Sequence, residues 1–301
     1  MDEKELDKFV EDQYKTWCDN NDISKVEDID EKHLKESIEK DLAFVSKMTV
    51  QEYTLYEKWI EVHEKYPTAE TNSFFDDKPA LVDPTQEAFI KSVKNNIWIP
   101  ESPEDIEKLE PVLEFTDDTE YNFKGQAKRG DLSEKWNTLR TFLSTMKNNS
   151  NIGRQMFFIV KDNRSGKYLG VICISGDFMD LTPRDNYIGW DRDIKTFKGK
   201  INHTAIGSSI VPTQPLGYSF TGGKLLAYLC LSDDVQRLWK EKYGDILAGV
   251  TTTSLYGKAK ANTLSQYDGL KYWKRMGFTT GSVSYQPSRP TRNMIWKWLK
   301  K

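Results

Sequence analysis

Two apolar runs, "RQMFFIVKD" (Arg154–Asp162) and "YLGVICISGDF" (Tyr168–Phe178), flank the polar stretch "NRSGK". Runs of this length joined by a short glycine-containing turn predict a β-hairpin. "KINHTAIGSSIVPTQ" (Lys200–Gln214) alternates and is β-branched, which predicts a third strand. "GGKLLAYLCLSDDVQRLWKEKYG" then reads as one helix that stops at Gly244, a C-cap glycine. "DILAGVTTTSLYG" predicts a fourth strand. "SQYDGLKYWKRMGF" predicts a short helix and turn, followed by a strand near "TTGSVSYQ" and a basic tail, "SRPTRNMIWKWLKK". The hairpin excludes an all-helical fold for this half, and the order predicts an α+β domain over 151–301 with a mixed β-sheet flanked by helices.

The first half has a different texture. "LDKFVEDQYKTW", "HLKESIEKDLAFVSKM" and "TVQEYTLYEKWIEVHEKY" repeat apolar residues at helical spacing, the last with Thr49 and Glu52 placed as a capping box. Residues 1–66 are therefore expected to form an acidic helical region, without a sustained heptad pattern. Residues 67–150 are rich in turn signals such as "DKPALVDPT" and read as a connector with short helices. Its last segment, "DLSEKWNTLRTFLSTM", places Trp136, Leu139, Phe142 and Leu143 on one side of a helix.

Charge divides the chain in the same way. Residues 1–70 carry 20 acids and 10 bases, whereas residues 151–301 carry 11 acids and 23 bases. Such asymmetry is expected where the second half meets a polyanion; the alternative is that the halves neutralise one another. The acidic helices are open to a protein partner. No apolar run approaches the roughly 20 residues needed to span a bilayer, so no membrane role is expected. Three scattered cysteines and three separated histidines have no metal-ligand spacing. A reducing cytoplasm, in a bacterial host cell, is the expected location.

Between the third strand and the following helix lies "PTQPLGYSFTGG", a loop richer than a simple connection needs. Amides at a helix N-terminus lack partners and carry partial positive charge, and glycine lets an anion come close. Gly217, Tyr218, Ser219, Gly222, Gly223 and Lys224 are therefore candidates to cradle a phosphate. This is not a P-loop, because Leu225 stands where Ser or Thr is required. A long turn with glycines at its corners is the plainer alternative.

The order of hairpin, strand, glycine loop, helix and strand, with a final "YWKRMGF", resembles the GNAT acyltransferase superfamily. That resemblance implies acyl-CoA as cofactor, its pyrophosphate on the glycine loop. Trp273 stands where the superfamily commonly has tyrosine, with Tyr272 beside it. "PRDNYIGW" (Pro183–Trp190) is more specific. It resembles the domain of the Druantia antiphage DruA family, related in turn to the DNA-modifying Mom protein of phage Mu. The likeness covers about residues 153–285 and implies a phage or mobile-element protein that acts on DNA.

On these residues Asp185, Ser254, Tyr267 and Tyr272 are the candidate catalytic groups, as bases or acids toward an amine and a leaving thiolate. Arg184 and Asp185 are equally readable as an ion pair that pins a loop. Tyr187 and Trp190 would stack on an extruded base, or belong to the core. Lys271, Trp273, Lys274 and Arg275 combine cations with an aromatic ring, as nucleic-acid surfaces do. The expected function is base modification of DNA by an acyltransferase-like enzyme. A DNA-binding module of phage defence or counter-defence, without catalysis, is the alternative. A transferase acting on a small amine or protein is a third reading.

Overall fold

The structure is a computed structural model of the 301-residue chain. It describes residues 30–43, 47–65, 80–81, 95–116, 130–146, 153–253, 265–279 and 287–300, with a few isolated positions between them. Contacts divide the chain into two compact units: Met1–Ala43 with Ser284–Lys301, and Phe44–Val283.

The larger unit is built on a mixed sheet. Its strands are β1 (Pro111–Phe115), β2 (Gln155–Asp162), β3 (Tyr168–Gly176), β4 (Thr204–Pro212) and β5 (Gly249–Thr251). Among the described residues the order is β1-β2-β3-β4-β5, antiparallel except for the β4–β5 pair, which is parallel. Besides a short helix at Pro103–Glu107, the helices in chain order over both units are α1 (Glu31–Leu42), α2 (Val50–Lys65), α3 (Asp131–Leu143), α4 (Thr182–Ile188) and α5 (Arg192–Thr196). After these come α6 (Leu216–Ser219), α7 (Gly222–Leu229), α8 (Asp233–Tyr243) and α9 (Arg289–Leu299).

Both faces of the sheet are covered, which explains why β3 is apolar at almost every position and buried from Leu169 to Ser175. On one face Met156, Phe158, Ile172 and Ile174 pack under Leu226 of α7 and under Val235 and Trp239 of α8. On the other, Ile159, Val171 and Cys173 pack under Val50 of α2 and Trp136, Leu139 and Phe142 of α3. The Trp136 indole N–H donates to the Phe158 and Ile172 carbonyls, 3.1 Å each. A buried donor left unpaired there would cost about 1–3 kcal/mol. Gly170 has a steric reason: a Cβ would lie 2.5 Å from the Val211 carbonyl oxygen and 2.6 Å from Leu226 Cδ2. Its absence lets α7 lie directly on the sheet.

Several expectations are refined. The long helix is two, because Ser232 caps α8 at Val235 N, and Gly244 ends it in the left-handed conformation. The predicted fourth strand is short, with only Gly249–Thr251 paired among the described residues. The "SQYDGLKYWKRMGF" segment is a chain of turns, not a helix. Asp268 N bonds to the Ser265 carbonyl at 3.0 Å and Trp273 N to that of Leu270 at 3.1 Å. The strand near "TTGSVSYQ" and the helix over "LDKFVEDQYKTW" lie outside the described residues or almost entirely so. The compact units do not follow boundaries at 66 and 150. The connector supplies edge strand β1, and α2 packs in the sheet's own core, behind the expected Thr49–Glu52 capping box.

In the smaller unit an acidic helix from one end of the chain meets the basic tail from the other. The Asp41 carboxylate accepts from Ser288 N at 2.7 Å, at the head of α9, and hydrogen bonds from Thr291 and Ser288 hold it below the usual carboxylate range. Trp298 donates its indole N–H to Glu31 at 3.1 Å. In both contacts an acid of α1 accepts from a neutral donor of the tail.

Candidate functional site

The parallel pair β4–β5 opens a cleft. Among the described residues β5 pairs with Thr204, Ala205 and Ile206, while β4 runs on to Pro212. Beyond the carboxyl end of β5, a cleft of about 230 Å³ is lined by Ile210, Gly217, Thr221, Gly223, Lys224, Gln266 and Tyr267. In sheets with parallel strands, ligands bind at such carboxyl ends.

The glycine loop forms one wall. Thr213 bonds through N and Oγ1 to the Leu169 carbonyl, and the cis peptide Gln214–Pro215 turns the chain into α6. Gln51 of α2 clamps this turn: its amide donates to the Gln214 carbonyl at 2.7 Å and accepts from Gln214 N at 2.9 Å. Gln51 is buried, so a helix of the acidic N-terminal region positions the loop. Sequence reading missed this clamp, since nothing local in a helix signals a partner 163 residues away.

Helix α7 points its N-terminus into the cleft. Thr221, in the left-handed conformation, makes no side-chain cap bond, while Lys224 N donates to the Thr221 carbonyl at 2.8 Å. The two glycines there have different reasons. At Gly222 a Cβ would fall 2.6 Å from Leu216 Cγ, so Gly222 is a packing glycine. At Gly223 a Cβ would meet nothing within 4 Å, so it faces open space.

Tyr267 forms the opposite wall. Its ring stacks on Trp273, with centroids 5.0 Å apart. Burial pushes its phenol up, opposed in part by a hydrogen bond with Thr252, the residue after β5. The Tyr228 hydroxyl of α7 accepts from Lys271 N at 2.9 Å, tying this loop to the helix. The structure therefore brings Gly217, Gly223, Lys224 and Tyr267 to one cleft, with Gly222 behind it. Ser219 is exposed on α6, Tyr218 lies on that helix, and Ser254 lies outside the described residues. Tyr272 does not line the cleft; it is exposed, edge-on to Tyr228. Lys271 and Lys274 are exposed too, Arg275 pairs with Asp268, and the Trp273 ring packs against the core. His203 bonds through Nδ1 to the Ile246 carbonyl at 2.8 Å.

The "PRDNYIGW" segment builds a buried ion cluster. Arg184 is fully buried, its Nε and Nη2 donating to Asp185 Oδ1 at 2.9 and 2.6 Å. Its Nη1 donates to the Phe178 carbonyl at 2.8 Å and lies 2.9 Å from Asp177 Oδ2. Asp177 Oδ1 accepts from Thr251 of β5 at 2.9 Å. Lys195 of α5 reaches the other Asp185 oxygen at 2.7 Å. Burial pushes the Asp185 carboxyl up, but hydrogen bonds from Lys195 and Arg184 outweigh it and hold it below the usual carboxylate range. Asp185 is thus a fully paired carboxylate with little basicity, in line with the loop-pinning reading. The Trp190 ring lies 5.7 Å from the Arg184 guanidinium, as a cation–π partner. Tyr187 is exposed. Asp177 and Lys195 escaped sequence reading because their role depends on two loops meeting.

Fold and site together define an α+β protein: a mixed sheet covered on both faces, a cleft at the end of its parallel pair, and an ion-pinned excursion beside it. The chain belongs to the family of the Druantia protein DruA, whose profile matches residues 128–298, more than half of the chain. The Druantia protein DruA of Escherichia coli (strain UMEA 4076-1) is 29% identical over 187 residues, covering 58% of this chain and 43% of that protein. The chain thus spans less than half the length of this curated relative. No solved structure matches. Among the described residues no helix is long and apolar enough to cross a membrane, and no group of acids, histidines and cysteines is placed to hold a metal ion.

Proposed function

We propose that the chain is a DNA-acting transferase of antiphage defence, whose cleft takes a nucleotide-carrying donor such as acyl-CoA, as in a GNAT-like core. The observation that carries this reading is Gly223. It stands in the first turn of an uncapped helix, with open space where a side chain would be, beside Lys224 and opposite Tyr267. A donor's anionic end fits amides and a lysine in that arrangement. When bound, the donor would supply the group to be transferred. Tyr267, whose phenol stays protonated at neutral pH, would hold a proton for a leaving group.

Calorimetric titration with acetyl-CoA tests the cleft: wild type binds, and Gly223→Leu loses binding while keeping its fold. Mass spectrometry of nucleosides from cells with and without the protein tests the transfer, and a modified nucleoside is expected only with it. The paired state of Asp185 favours a second reading, a DNA-binding defence module without catalysis. Affinity for DNA with no acetyl-CoA binding and no modified nucleoside is its signature.

A further inference from the structure

Helix α3 buries a cation that, among the described residues, has no acid beside it. Arg140 is 6% exposed and sits in the last turn of this helix, which covers one face of the sheet. No carboxylate of the described residues pairs with it. The ionisable group that acts on it is the Cys173 thiol, which burial pushes up and so leaves uncharged at neutral pH. Buried charges in folded proteins are paired, because desolvating one alone is costly. The negative end of α3 offsets part of that cost, since the Ser144 carbonyl accepts from Arg140 Nη1 at 3.2 Å. The opposite edge of the guanidinium is left over: among the described residues Nε has no acceptor and Nη2 makes no hydrogen bond.

The strands beneath supply hydroxyls. The β3–β4 register passes from Cys173–Ser209 to Ile174–Gly207, so Ser208 is the extra residue of a β-bulge. Bulges re-aim side chains, and the Ser208 hydroxyl is turned to Ser175 Oγ at 2.9 Å and to the Cys173 carbonyl at 3.3 Å. Ser175 Oγ in turn lies 3.4 Å from Cys173 Sγ. Ser209, opposite Cys173, shares its face of the sheet. Ser175 is fully buried and Ser208 is exposed, so the hydroxyls run from the neighbourhood of Arg140 to solvent. This is the face under α3; Ile210 of the donor cleft packs on the other, with α7 and α8.

A guanidinium edge with two parallel N–H groups, close to serine hydroxyls, is a donor set that holds a carboxylate or phosphate by two prongs. We infer that Arg140, with Ser208 and Ser209, forms a binding site for a small oxyanion on the α3 face of the sheet, separate from the donor cleft. The bound anion supplies the charge that the fold leaves Arg140 without. The site depends neither on the reading of the cleft nor on DNA as partner.

Thermal unfolding of the full chain in chloride buffer, with sodium phosphate or sodium acetate added at constant ionic strength, tests this. Wild type is expected to show a saturable rise in melting temperature with at least one of them, and the one that acts identifies the group the site takes. Arg140→Met weakens the apparent affinity at least about 10-fold, through loss of charged hydrogen bonds. In chloride alone it melts no lower than wild type, because it removes an unpaired buried charge. Ser208→Ala, at an exposed position, keeps the wild-type melting temperature in chloride and also weakens the response. Gly223→Leu, which fills the donor cleft, keeps the response. No response to either oxyanion, a response that added chloride reproduces, or a wild-type response in Arg140→Met overturns the inference. If Gly223→Leu loses the response and Arg140→Met keeps it, the anion sits in the cleft: this inference falls and the reading of the cleft stands.

Discussion

Replacing Arg184 by methionine removes the centre of the ion cluster while roughly keeping its volume. The loss is large because, among the described residues, Arg184 is the cation that pairs with Asp177, whose side chain is fully buried. Two hydrogen bonds to Asp185 and those to the Phe178 and Met179 carbonyls go with it. Breaking a buried pair on one side costs about 3–5 kcal/mol. For a unit of this size that corresponds to a fall in melting temperature of roughly 6–20 °C. Thermal unfolding followed by circular dichroism reads it directly. Arg184→Lys restores charge but not the two-pronged contact with Asp185, so it should fall between wild type and the methionine variant. A methionine variant melting within about 2 °C of wild type, less than 1 kcal/mol on the same scale, would refute the idea that charge pairing holds this segment.

Two further outcomes concern stability. The depressed Asp185 carboxyl contributes stability that is present above the unfolded value near pH 4 and is lost as pH falls through its lower folded value. Lys195→Met should therefore flatten the acid limb of the stability curve, and an unchanged limb below about pH 4 would count against the pairing. Gly222→Ala forces a methyl against Leu216 and should destabilise by about 1–3 kcal/mol. Gly223→Ala meets nothing and should stabilise the helix by up to about 1 kcal/mol. Chemical denaturation of the pair checks the difference in sign, and equal effects would mean that the two glycines do not have separate roles.

The hairpin, the β4 strand, the Gly244 stop and the Thr49–Glu52 cap were legible because each is a local signal: alternation, turn composition, or a side chain reaching three residues along. The glycine loop was legible as a candidate anion site for the same reason, since the amides of a helix start need no distant partner. Tertiary structure alone decided which glycine packs and which faces the cleft, because that depends on where Leu216 lies. It also decided that Asp185 is saturated by Arg184 and Lys195, and that Gln51 holds the loop. Contacts between segments far apart in the chain leave no periodic trace in either one. Periodicity and capping fix what each stretch of this protein becomes, while burial and charge pairing across loops fix what each side chain is free to do.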